Sequence, residues 1–237
     1  MLDFADLVQR ANALAVNAPP DAGPAGNGPG SGMAGGSTRR AILGITGPPG
    51  SGKSTLAGHL VATLRDLAMR VAQVPMDGFH LADSSLRRLG IMGRKGAIDT
   101  FDAYGYLALL ERLRARPAHT VYAPDFERDL EQPIAAGIAV EPQVDLVITE
   151  GNYFLAPTPP WPAVRAAMDE VWYCELPESV RTDRLVARHT RFGKAPDAAR
   201  EWVAKVDQAN ADEVAGWRSG ADLHVDVAAL GLAPLDL

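Results

Sequence analysis

The chain is short of cysteine, of aromatic residues, of net positive charge and of long apolar runs. A single cysteine, Cys174, among 237 residues leaves no partner for an internal disulfide and excludes a cysteine-rich zinc module. It lies in the apolar run Val171-Trp172-Tyr173-Cys174, which reads as a buried, inert thiol. Lys and Arg number 23 against 29 Asp and Glu, a net charge of −6. That balance excludes a generalised nucleic-acid or anionic-membrane surface, though not a local basic pocket. No stretch approaches the ~18 apolar residues of a membrane span. The start, Met1-Leu2-Asp3-Phe4-Ala5-Asp6, is acidic and lacks a signal-peptide layout. A cytoplasmic protein with no membrane and no nucleic-acid partner is expected.

Glycine and proline are plentiful, at 23 and 18, but seven of the glycines and four of the prolines fall within residues 17–38. That tract cannot bury enough apolar surface to offset its ordering entropy. It reads as a flexible linker between an N-terminal helix (1–16) and a larger domain (39–237). It also carries Gly30-Ser31-Gly32-Met33-Ala34-Gly35, a formal G-x-G-x-x-G. No strand is expected before it, and the next acidic residue, Asp66, lies 31 positions beyond Gly35, so the dinucleotide fingerprint is rejected.

Helical spacing of Phe4, Leu7, Val8, Ala11, Leu14 and Ala15 predicts an amphipathic helix over 2–15. From Ala41 onward strands and helices alternate. Strands are predicted at 41–46, 71–76, 144–149, 170–176 and 223–227, and helices at 53–67, 103–115, 177–191 and 197–216. Strands alternating with helices of this length imply βαβ units and a mainly parallel sheet, covered on both faces. The fold class is α/β.

Gly47-Pro48-Pro49-Gly50-Ser51-Gly52-Lys53-Ser54 meets G-x-x-x-x-G-K-[ST] at every fixed position. It stands between a predicted strand and a predicted helix, as that motif requires. Backbone N–H groups of such a loop curl around a phosphate, and the free donors of the helix N-terminus add to them. Gly47 through Thr55 are therefore the candidate nucleotide-binding residues. Lys53 reaches the β- and γ-phosphates, and Ser54 offers an oxygen to Mg²⁺. The competing explanation, a chance Gly-rich turn, does not account for motif and context together.

In an open parallel sheet, ligands sit beyond the carboxyl ends of strands. Asp77 and Glu150 each follow an apolar strand, and each is followed by a glycine. Phosphoryl transfer to an alcohol needs one acid near the metal and one that orients the hydroxyl and accepts its proton; two capping acids are the plain alternative. His80 is a substrate-contact candidate, set against a packing role in a turn. Arg181, Arg184, Arg188 and Arg191 recur at spacings of three, four and three, along one helix face. Beside a nucleotide site they can stabilise the transferring phosphoryl group, and Gly193 then bounds a lid over about 181–196. A solvated basic face is the alternative.

The ordered series Gly44–Ala57, Pro75-Met76-Asp77-Gly78-Phe79-His80, Arg94–Asp102, Tyr122–Arg128 and Val147–Tyr153 resembles the phosphoribulokinase/uridine kinase family of P-loop kinases, from about Arg40 onward. The 94–102 segment looks closest to a pantothenate-kinase-like subgroup. Asp-Gly-Phe-His departs from uridine kinases, which favour serine and tyrosine after the aspartate. The resemblance implies a three-layer α/β/α P-loop fold with a small helical lid, ATP and Mg²⁺ as cofactors, and a small hydroxyl acceptor of pantothenate, sugar or nucleoside type. It implies Asp77 as catalytic base, Glu150 near Mg²⁺, Arg188 and Arg191 as catalytic lid arginines, and Tyr122, Asp125, Phe126, Arg128 and Asn210 around the acceptor. A homodimer is compatible with the pattern but not demanded by it. The rival is a regulatory GTPase or metallochaperone ATPase, which shares such loops; no Asn here precedes a Lys, so the usual Asn-Lys-x-Asp guanine loop is absent. A degenerate fold that only binds nucleotide fits poorly with intact Lys53, Ser54, Asp77 and Glu150.

Overall fold

The computed structural model describes residues 2–17 and 39–233. The predicted linker, apart from Asn17, lies outside the described residues. Among them, five strands form a parallel sheet in the order β2-β5-β1-β6-β7, namely β1 (Ala41–Thr46), β2 (Val71–Gln73), β5 (Leu146–Gly151), β6 (Glu170–Glu175) and β7 (Leu223–Asp226). A separate antiparallel pair, β3 (Val121–Glu127) and β4 (Gln132–Val140), forms a hairpin. The helices are α1 (Phe4–Val16), α2 (Lys53–Asp66), α3 (Asp83–Leu89), α4 (Ala103–Arg114), α5 (Trp161–Ala166), α6 (Glu178–Arg191), α7 (Pro196–Trp202) and α8 (Gln208–Ala215).

Strand alternation divides the core in two. Ile42, Val147, Val171 and Tyr173 point into one cluster, with Tyr106, Leu110 and Leu113 of α4 and Val164 of α5. Their neighbours Leu43, Ile45, Leu146, Ile148 and Trp172 point into the other, with Leu56, Leu60 and Leu64 of α2. Leu7, Val8 and Ala11 of α1 join this second cluster. That helix opens on a capping box between Asp3 and Asp6, and Arg10 holds it to the start of β6 through paired bonds to Glu170 of 2.8 and 3.0 Å.

Three elements depart from the expected pattern. β2 stops at Gln73 because Pro75, lacking an N–H, cannot extend the ladder, and Met76–Phe79 turns into a single 3₁₀ turn. The predicted helix over 197–216 breaks into α7, a π-turn at Val203–Asp207, and α8. The hairpin β3–β4 and the short helices α3 and α5 were not expected. No helix among the described residues is long and apolar enough to cross a membrane.

Arg40, fully buried, ties these layers together. Its guanidinium donates to the carbonyls of Val144, Leu113 and Glu141, each at 2.9 Å. Burial lowers its pKa to about 10, so it stays charged at neutral pH. Arg40→Met keeps the stem and strands three carbonyls, at a cost of about 1–3 kcal/mol for each group left unpaired in the interior. Urea denaturation should show a total loss of at least about 3 kcal/mol; a negligible loss would mean that water replaces the guanidinium.

Candidate active site

The register of β1 on β5 places Thr46 opposite Gly151 and Ile45 opposite Glu150. The loop that leaves β1 and the carboxylate that ends β5 therefore emerge side by side. The loop closes with Ser51 N–H on the Pro48 carbonyl at 3.1 Å. Gly50 must be glycine for two reasons. Its φ of +78° lies in the left-handed region, and a Cβ there would stand 2.8 Å from Leu185 Cγ and 3.0 Å from the Arg181 carbonyl. Helix α6 is thus seated directly on the phosphate loop. Helix α2 opens at Lys53 with no side-chain cap, which leaves its first N–H groups aimed at the loop.

Lys53 is buried and donates to the Pro48 carbonyl at 3.0 Å. Burial lowers its pKa, against the attraction of Glu150, Cys174 and Asp77. Ser54 donates its hydroxyl to Glu150 Oε1 at 3.0 Å. Ser51 Oγ is buried with no partner, a donor enclosed in the loop where a phosphate oxygen would lie. Ser54 and Glu150 supply hard oxygens of the kind Mg²⁺ takes. Among the described residues no group of three or more His, Cys, Asp or Glu could hold a metal. An ion here would complete its shell with phosphate oxygens and water, which is the usual arrangement for Mg²⁺. The residues fit the group.

The two acids are pushed in opposite directions. For Glu150, burial and the nearby Asp77 raise the pKa, outweighing Lys53 and Ser54. Burial would raise Asp77 too, but the combined pull of His80, Arg128, Arg188 and Lys53 holds it below the usual carboxylate range. Arg128 Nη2 stands 3.7 Å from Asp77 Oδ2. His80, its own pKa lowered by burial, adds its charge only in acid. One acid stays ionised while the other takes a proton readily, a division that suits different roles.

A cavity of about 510 Å³ gathers these groups; Ser54, Asp77, Asp125, Phe126, Arg128, Glu150 and Arg191 line it. The hairpin reaches it because Gly78 carries no side chain: a Cβ there would collide with the Pro124 carbonyl. Other predicted residues stand outside the cavity lining. Tyr122 is 58% exposed, with its carbonyl held by Arg112. His80 packs between Phe101 and Phe126, at ring distances of 4.1 and 4.9 Å, and donates Nδ1–H to the Asp77 carbonyl at 2.8 Å. Asn210, in α8, donates to the Gly96 carbonyl at 3.4 Å. Thr55 sits in the first turn of α2.

The arginine stripe divides. Arg181 is buried and donates to the Pro49 carbonyl at 3.3 Å and to Gln208 Oε1. Leu185 and His189 continue that inner face, and His189 donates to Asp207 at 2.8 Å. Arg188 remains exposed while acting electrostatically on Asp77 and Lys53. Arg191 lies on the cavity. Arg181 as an anchor was missed; its spacing from Leu185 on the same face was the available signal. The hairpin was signalled by the alternation of Val121–Glu127 and the polar turn after it.

The family of methylmalonyl-CoA mutase-associated GTPase MeaB matches residues 31–103, a stretch that holds the phosphate loop and Asp77 but neither the hairpin nor Glu150. The ATP-dependent kinase-like protein notR' of Aspergillus versicolor is 34% identical over 148 residues, 59% of this chain and 86% of its own. A Schizosaccharomyces pombe protein, C227.14, provisionally named a uridine kinase, is 34% identical over 161 residues, 65% of this chain and 68% of its own. The crystal structure of a Silicibacter sp. TM1040 protein, provisionally called a fructose transport system kinase, superposes with a TM-score of 0.77 at 33% identity, covering 95% of this chain and all of that one.

Because Glu150 binds its proton more tightly folded than unfolded, it favours folding while protonated and penalises it once pH rises through the folded-state pKa. Metal-free Glu150→Gln should therefore be more stable than wild type at neutral pH. The advantage should fade as pH falls toward about 4.3, the range of an unperturbed glutamate. Urea titrations in chelator check this; equal stability at neutral pH would contradict the buried charge.

Proposed function

The chain belongs to the phosphoribulokinase/uridine kinase-like family of P-loop kinases, and from that premise we propose that it transfers the γ-phosphate of ATP to a hydroxyl of a small metabolite. The acceptor is of pantothenate, sugar or nucleoside type. The observation that supports this reading most is the shared cavity: Asp77, held ionised, and Glu150, paired with Ser54, both open into it. Two acids on one cavity match the two needs of transfer to an alcohol, one acid near the metal and one at the acceptor hydroxyl.

In this reading the loop from Gly47 to Thr55 grips the phosphates through its N–H groups, and Ser51 adds its enclosed hydroxyl. Lys53 leaves the Pro48 carbonyl for the β- and γ-phosphates. Ser54 and Glu150 would hold Mg²⁺, which would offset charge on the phosphate oxygens. Asp77 orients the acceptor hydroxyl and takes its proton. A carboxylate held at low pKa is a weak base, so orientation is its larger contribution; the loose transition state of phosphoryl transfer asks little more. Arg188 and Arg191 reach in from α6 to stabilise the moving phosphoryl group. Phe126, Asp125 and Arg128 face the acceptor from the hairpin, with His80, Tyr122 and Asn210 shaping the loops behind them.

The GTPase match over residues 31–103 supports a second reading, a GTP-hydrolysing regulator. It rests on the segment that such proteins share with kinases. Competition of GTP against ATP for the loop separates the two: ATP preference is expected, and GTP preference favours the regulator.

The transfer itself is tested by ADP release from ATP·Mg²⁺ across a panel of pantothenate-, sugar- and nucleoside-type alcohols. At least one should raise release above the background with water alone. Asp77→Asn should lower that gain about 100-fold or more while ATP binding stays intact. Acceptor-independent release throughout, or full turnover in the variant, would contradict the assignment. Lys53→Ala should cut turnover by about 100-fold or more, read in the same assay.

A further inference from the structure

Behind the two acids lies a pair of buried hydroxyls that do not line the cavity. The ladder between β2 and β5 ends with Gln73 opposite Ile148 and one further bond, Val74 N–H to the Ile148 carbonyl at 2.9 Å. Beyond it the strands part, one toward Asp77 and the other toward Glu150. At the point of parting Thr149 Oγ1 lies 2.6 Å from the Val74 carbonyl. Tyr106 Oη, on α4, lies 2.6 Å from the same Thr149 oxygen. A carbonyl can only accept, so the single Thr149 proton goes to Val74, and Tyr106 must donate to Thr149. Burial pushes the Tyr106 hydroxyl far above its usual range, which keeps that donor protonated.

Both residues are fully buried. The Tyr106 ring rests edge-on against Phe79 at 5.2 Å and stacks on Phe154 at 5.8 Å. Phe79 is two residues past Asp77, and Phe154 four past Glu150. One tyrosine thus braces both segments leaving the acids, while one threonine bonds across the fork between them. Side-chain bonds replace backbone ladder bonds where the ladder must open to make room for ligand.

We propose that Thr149, braced by Tyr106, is a positioning residue that sets the separation of Asp77 and Glu150 and so tunes divalent-cation binding. This rests on the reading that Glu150 is on the metal side of the site. Outer-shell partners that fix a ligand's orientation typically change metal affinity about 10–100-fold when lost. The effect here should appear in the metal and not in the phosphate loop, because the Thr149 hydroxyl bonds to Val74 and Tyr106, neither of which belongs to that loop.

The test uses the full chain with a saturating non-hydrolysable ATP analogue, and Mn²⁺ as the probe, with bound ion counted from the loss of its free paramagnetic resonance signal. Thr149→Val removes the hydroxyl at constant shape and should weaken Mn²⁺ about tenfold, with metal-free analogue binding unchanged. Thr149→Ser keeps the hydroxyl and should restore the affinity. Tyr106→Phe should weaken it less, and it carries the test if the valine variant does not fold, since unchanged affinity in the phenylalanine variant would then overturn the proposal. Wild-type Mn²⁺ affinity in Thr149→Val, or a serine variant as weak as the valine one, overturns it as well. Glu150→Gln separates the two levels. If that variant alone loses the ion, this inference fails and the metal reading stands; if it binds as wild type does, the metal reading itself fails.

Discussion

The parallel pairing of β1 with β5 is the constraint on which the site depends. Of the six β5 residues opposite β1, five are apolar or small and the sixth is Glu150, opposite Ile45. Burial of those strands on both faces makes the register costly to shift, because a slip of one residue would exchange the two core clusters. Fixing the register brings a loop rich in donors against a buried carboxylate. Lys53 and Glu150 then share one low-dielectric region, where neither would tolerate burial without an opposite charge nearby. Their mutual attraction, against the desolvation of each, is what a nucleotide and its metal would exchange for stronger partners.

A second layer of constraint comes from what rests on the loop. Helix α6 sits on Gly50 through Leu185, and Arg181 ties that seat to Gln208 beyond the π-turn. The outer arginines, 188 and 191, project from a helix whose base is already fixed. At the far end of α6, Gly193 takes a φ of +90° with open space where a Cβ would stand, which is where the proposed closure over ligand would hinge. On the opposite side the hairpin presses on Gly78 and delivers Phe126 and Arg128 to Asp77. The side of the cavity proposed to take the acceptor is thus held by backbone packing, as the phosphate loop is.

Much of this was legible in the sequence for physical reasons. The phosphate loop has a rigid residue grammar, and the strands that flank it are apolar runs too short to be helices. Glu150 was visible because an acid at the end of a buried strand is expensive unless something uses it, and Asp77 because it follows an apolar run, although that run stops as a strand at Gln73 and the acid sits in the 3₁₀ turn beyond. What escaped has equally definite causes. β4 is built largely from Ala, Gly and Pro, residues of low strand propensity, and among the described residues it pairs with β3 alone. The end of β2 depended on Pro75, whose missing N–H was readable but not weighed. The fourfold arginine spacing placed all four residues on one side of α6 but could not tell which of them met the loop. Asn210 and Tyr122 carried positions from a resemblance, and their packing depends on loops that no local pattern specifies.

The proposed transfer depends on one arrangement: a metal held by Ser54 and Glu150 with Asp77 facing the terminal phosphate. A crystal structure with Mg²⁺ and a non-hydrolysable ATP analogue measures it directly. The expected result is an ion bonded to Ser54 Oγ and on the Glu150 side, with the γ-phosphate turned toward Asp77. An ion bound away from both residues, or a γ-phosphate pointing away from Asp77, would contradict it.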